Sequence, residues 1–120
     1  MDQQTMVPIT IYQGETFAPP AILWIDANRT PVNISGFTAK LMARETVNGA
    51  NPPVIDARTS NGLIVITGAT GSIQIILGPT FTAALPAPFE GVWDLFVYSA
   101  AGVATRLVGG TICIKEPVTR

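Results

Sequence analysis

The sequence contains no histidine, a single cysteine and very few charged residues, and each shortage removes a class of function. Without histidine the chain lacks the commonest general base and the commonest neutral metal ligand, so Ser/His/Asp and Cys/His triads are excluded within it. One cysteine, Cys113, permits no intrachain disulfide and offers zinc a poor ligand set. It stands in the alternating run Thr111 to Lys115, where it reads as a small strand filler. Charged residues make up 12% of the chain, against about 25% in ordinary soluble domains. The seven basic residues, Arg29, Lys40, Arg44, Arg58, Arg106, Lys115 and Arg120, are spread singly along the chain. That spread gives no basic segment to follow a phosphate backbone, and nucleic acid is not an expected partner. The longest apolar stretch, around Pro19 to Ile25, is far short of the ~20 residues that span a bilayer, so no membrane partner is expected. The opening residues Met1 to Thr5 have neither the basic nor the apolar region of a signal peptide, which predicts synthesis in a cytoplasm without secretion.

The remaining routes to chemistry are thin. Glu90 and Asp94 are the closest-spaced carboxylates considered for a glycosidase pair. On one strand they would stand about 13 Å apart, beyond the roughly 5–9.5 Å that lets two carboxylates straddle a glycosidic bond. Asp94 reads better as a solvent-facing strand residue or the partner of a nearby turn. Gly68-Ala69-Thr70-Gly71 lacks the lysine and following helix of a phosphate-binding loop and reads as a hairpin turn. Asn28-Arg29-Thr30 and Asn33-Ile34-Ser35 match the glycosylation acceptor pattern but read as turns in a chain that is not secreted. The expectation is a non-enzymatic protein without cofactor or metal.

What is present is β texture. Ten prolines and eleven glycines punctuate short runs rich in Ile, Val, Thr and aromatic residues. Val7, Ile9 and Ile11 alternate with Pro8, Thr10 and Tyr12, and Pro8 places this strand at an edge or a start. Phe37 to Glu45 alternates as well, with Phe37, Ala39, Leu41 and Ala43 facing inward. Leu63 to Thr67 and Ser72 to Leu77 flank the Gly-bounded loop as a hairpin. Pro79 to Leu85 predicts one helical turn between its prolines. Val92 to Ser99 and Val103 to Lys115 form a final meander, with a bulge or bend expected at Gly109-Gly110. Residues 1–120 thus predict a single all-β domain: an antiparallel, immunoglobulin-like sandwich of about seven or eight short strands, with at most one short helical turn.

One run is apolar beyond the needs of a core. Phe17 to Asp26 is centred on Ile22-Leu23-Trp24-Ile25, greasy on both faces, so one face serves the domain and the other calls for a second cover. With so few charges to wet the surface, part of it is expected to face protein. The interface candidates are Ile22, Trp24 and Ile25, with Asn48, Asn51, Pro52 and Pro53 from the exposed loop Thr46 to Pro53. Trp93 is the second large ring, read as a core residue.

Three segments together resemble a known group. These are Gln13-Gly14-Glu15-Thr16-Phe17; Trp24-Ile25-Asp26 followed by Pro31 to Leu41; and a later part made of Thr82-Ala83-Ala84-Leu85, Gly91-Val92-Trp93-Asp94-Leu95 and Arg106 to Ile112. They look like the small β-sandwich modules of tailed-phage tails, the N-terminal domains of upper baseplate proteins and the long-tail-fibre connectors. Glu15 stands where that pattern usually has Asp, and Trp93 where it usually has Tyr. The resemblance implies a structural virion protein, a tail, baseplate or fibre connector or adaptor acting by symmetric assembly with other virion proteins. A homo-oligomer is implied, a trimer if the module serves a fibre. The chain stops at Arg120 without a fibrous continuation, which favours a connector, adaptor or head-surface decoration protein over a host-binding one. A carbohydrate-binding module using Trp24 or the Thr46 to Pro53 loop is the alternative from another class, with glycan as partner. A lytic accessory enzyme is a remote third.

Overall fold

The computed structural model describes residues 7–47 and 52–118. Eight strands form there: β1 (Ile9–Tyr12), β2 (Ile22–Leu23), β3 (Thr38–Arg44), β4 (Ile55–Arg58), β5 (Ile64–Thr67), β6 (Ser72–Ile75), β7 (Phe89–Tyr98) and β8 (Ala104–Lys115). They make two sheets, a five-stranded one ordered β1-β8-β7-β3-β4 and a three-stranded one ordered β2-β6-β5. The inward side chains of both sheets merge in one apolar core, so the fold is an all-β, two-layer sandwich.

The period-two alternation read from the sequence is what builds the core. On β3, Ala39, Leu41 and Ala43 are buried while Lys40, Met42 and Arg44 are half-exposed on the other face. On β7, Trp93, Leu95 and Val97 are buried, and on β8 Ile112 and Ile114 join them. The hairpin forms as expected, Thr67 opposite Ser72, its loop closed by a 3-10 turn at Gly68–Thr70. The predicted helical turn is α1 (Pro79–Ala83), with proline at its first position. The loop turn adds a second helical piece to the one expected.

Two expectations need correction. The sandwich is not wholly antiparallel, because β1 pairs in parallel with β8, Ile9 opposite Ile112 through Tyr12 opposite Lys115. These strands lie near the two ends of the chain, so everything between them serves as the long crossover that parallel pairing requires. The bulge also lies elsewhere. Leu95 faces Val108 and Phe96 faces Arg106, which leaves Leu107 as the extra residue. Gly109 and Gly110 pair regularly with Asp94 and Trp93. Their reason is close approach, since a methyl group on Gly110 would strike the Val7 carbonyl. The gap admits the N-terminal segment, where Val7 N–H donates to the Gly109 carbonyl at 2.9 Å and Trp93 Nε1–H donates to the Val7 carbonyl at 2.9 Å.

α1 is fastened to the end of β1 by side chains. The buried Thr82 hydroxyl accepts the Gly14 N–H at 3.0 Å and donates to the Glu15 carbonyl at 2.7 Å. The Gln13 side-chain amide donates to the Leu85 carbonyl at 2.6 Å. The Asp26 to Pro31 turn is held likewise, Asp26 Oδ1 accepting the N–H groups of Asn28 and Thr30 while Arg29 adopts the left-handed region at φ 62°.

Candidate functional site

Sheets offer partners either an edge or a face, and the edges of the larger sheet are blunted. Val7 N–H and Gln13 N–H both bond to β8 carbonyls, so the odd residues of β1 turn their N–H groups inward and the even ones face the open side. Of the even residues, Pro8 has no N–H and the Tyr12 N–H donates to Glu15 Oε1 at 2.9 Å. At the opposite edge, Asn61 occupies β4: its Oδ1 accepts the Arg58 N–H and its Nδ2 donates to the Asp56 carbonyl, each at 3.0 Å. Strand addition at the two margins of the larger sheet is thereby discouraged.

The outer face of the three-stranded sheet is the first of these. Strand parity sends Ile22 and Trp24 toward the core and Leu23 and Ile25 outward, at 61% and 47% exposure. Val65 on β5 and Ile76 just past β6 are exposed by 48% and 40%. Thr67, Ser72 and Gln74 complete the face, and none of these seven residues is charged. Gln74 turns its amide to the Pro19 carbonyl at 2.7 Å, so the Pro19-Pro20 segment borders the face. Beyond it opens an apolar groove of about 300 Å³ between the edge strands β1 and β2, lined by Val7, Ile9, Phe17, Pro19, Pro20, Ile22, Trp93 and Val108 among others, again without a charged residue. Face and groove form one continuous uncharged surface.

Each sequence-predicted interface residue can now be placed. Ile25 lies on the outer face, whereas Ile22 lines the groove and pairs opposite Ile73. The Trp24 ring is half-buried, edge-on to Phe37 with centroids 6.2 Å apart. Pro52 is exposed and Pro53 half-buried; Asn48 and Asn51 lie outside the described residues. Leu23, Val65 and Ile76 were missed. Their signal was present in Ile64-Val65-Ile66, a β5 run apolar on both faces just as Ile22 to Ile25 is.

The outer face of the five-stranded sheet is different in kind. Arg58, Lys40, Phe96 and Arg106 are direct cross-strand neighbours, forming one row over β4, β3, β7 and β8. The next row holds Asp56, Met42 and Asp94. Arg58 donates from Nε and Nη2 to Asp56 at 2.8 and 3.0 Å, and Arg106 Nε meets Asp94 Oδ2 at 3.3 Å. The hydrogen bonds from Arg58 hold the Asp56 carboxyl below its usual range, partly opposed by burial, with Lys40 and Arg44 adding to the pull of Arg58. Phe96 and Tyr98 stack at 6.3 Å, and Lys40 Nζ sits 6.0 Å from the Tyr98 ring centre. Two shallow cavities of about 290 and 220 Å³ open on this face.

Among the described residues no three His, Cys, Asp or Glu side chains gather as a metal site would require. Glu90 and Asp94 both lie on β7, four residues apart, and Asp94 is engaged with Arg106. Cys113 is half-buried on β8 between Thr10 and Glu90. Comparison with protein-family models and with curated proteins finds no match for this chain.

Proposed function

We propose that this domain is a non-enzymatic structural module that associates with copies of itself through the outer face of its three-stranded sheet. The observation that carries this reading is the absence of charge over that face and the adjoining groove, in which Leu23, Ile25, Val65 and Ile76 stand exposed. A protein surface of this extent approaches the ~20–30 residues that one side of a standard interface employs. The exposed apolar side chains point outward from the sheet, so the contact is side-chain packing between faces. The setting proposed is the one that the resemblance implies, a tailed-phage tail, baseplate or fibre-connecting assembly.

Solution mass tests the proposal. Light scattering across a concentration series in about 1 M salt is expected to give an integer multiple of the 12.7 kDa chain mass, rising toward its plateau by mass action. A constant 12.7 kDa particle at the highest attainable concentration would overturn self-association.

A further inference from the structure

The row of basic residues on the five-stranded sheet holds one cation that its own aspartates do not pair: Arg58 is bound to Asp56 and Arg106 to Asp94, while Lys40 sits beside the Tyr98 ring. Arg58 and Lys40 are directly opposed across β4 and β3, a like-charge pairing that sheets ordinarily avoid. Phe96 and Arg106 extend the row across β7 and β8, so the cations span three strand spacings, about 14 Å. Asp56 and Asp94 hold the two guanidinium groups in place from the neighbouring row.

The same sheet carries the complement at one of its ends. Glu15 follows β1, Glu116 follows β8, Glu90 lies near the start of β7 and Glu45 follows β3, all four exposed, and they outnumber the two cations at this end, Lys115 and Arg44. The registers Tyr12 to Lys115, Glu90 to Cys113 and Arg44 to Val92 bring these strand termini to one end of the sheet. Across β1, β8, β7 and β3 they too are distributed over three strand spacings, about 14 Å. Glu15 Oε1 accepts the Tyr12 N–H, which fixes the side chain at this end.

Resting on the reading that copies of the chain associate, we infer that the outer face of the five-stranded sheet receives the glutamate-bearing end of a second copy. Lys40, flanked by the ion-paired Arg58 and Arg106, meets the carboxylates, and Phe96, Tyr98 and Met42 supply the apolar middle, the residue types that interface centres favour. Face and end are different patches of one surface, so the contact is heterologous and builds a ring or a filament. It is electrostatic, unlike the uncharged contact through the three-stranded sheet, and salt separates the two.

The test is sedimentation velocity at about 0.05 M and about 1 M salt, where screening lengths differ several-fold. In a Leu23→Gln/Val65→Gln background, which removes the apolar contact without changing charge, association is expected at low salt and its loss at high salt. Adding Lys40→Glu, or Glu90→Lys with Glu116→Lys, abolishes the remaining association in each variant alone. Mixing the two variants restores it, because the intact end of one meets the intact face of the other; a folding defect would not be restored by mixing. A background variant that is monomeric at low salt, or a mixture that stays monomeric, overturns the inference. The proposed function is read separately from the unsubstituted chain at high salt, where persistence of its oligomer supports the apolar contact and dissociation refutes it.

Discussion

Replacing Leu23 and Val65 together by glutamine is expected to weaken self-association about 100-fold while leaving the fold intact. Both side chains project from the outer face of the three-stranded sheet, Leu23 from its edge strand β2 and Val65 from β5. Burying such a side chain against a partner stabilises by about 1.5 kcal/mol or more, so losing two costs about 3 kcal/mol, equivalent to two decades in dissociation constant. Neither residue belongs to the buried core, and exposed substitutions of this kind change folding stability by only about 0.5 kcal/mol. Sedimentation equilibrium measures the first effect and thermal unfolding of the dissociated chain the second. Unchanged association would show that this face is wetted in the assembled state.

Trp93→Ala is expected to destabilise the domain by about 3–5 kcal/mol, a large share of the ~5–15 kcal/mol that holds a small domain folded. The ring is 5% exposed and packs in the shared core, and its Nε1–H secures the Val7 carbonyl across the chain. Removing it leaves a cavity and releases the segment that Gly110 makes room for. Trp93→Phe separates the two contributions: most of the ring remains, and only the donor is lost, at about 1 kcal/mol. Urea unfolding followed by circular dichroism reads both variants. Equal losses in the two would place the energy in the hydrogen bond and not in packing.

How far the fold was legible follows from the range of the information each feature needs. β3 and the β5–β6 hairpin depend on alternation and a Gly-bounded turn, all local, and both were readable. The parallel β1–β8 pair joins residues about a hundred positions apart, and nothing in either segment distinguishes a parallel from an antiparallel neighbour. Gly109-Gly110 announced a special backbone position but not its cause, because the neighbours that crowd it, Val7 at Gly110 and Arg106 with the Trp93 carbonyl at Gly109, come from pairings and a bulge that the sequence does not display. The candidate site divides in the same way. A run apolar on both faces was visible at Ile22 to Ile25, yet which residues face outward required the register that sets Ile22 opposite Ile73. Arg58, Lys40 and Arg106 look scattered along the chain and become a row only through three strand registers, the last of them shifted by the bulge at Leu107.

The proposal as a whole stands on a charge-free sheet face covered by other copies. Hydroxyl-radical footprinting of the assembled protein, compared with the Leu23→Gln/Val65→Gln chain, probes that face residue by residue. Val103, 63% exposed beside the turn between β7 and β8, serves as the internal reference. Ile25 and Ile76, unaltered in both chains, are expected to be protected several-fold in the assembly relative to Val103, as a packed interface excludes water from its centre. Equal labelling of Ile25, Ile76 and Val103 in the two samples would contradict the account.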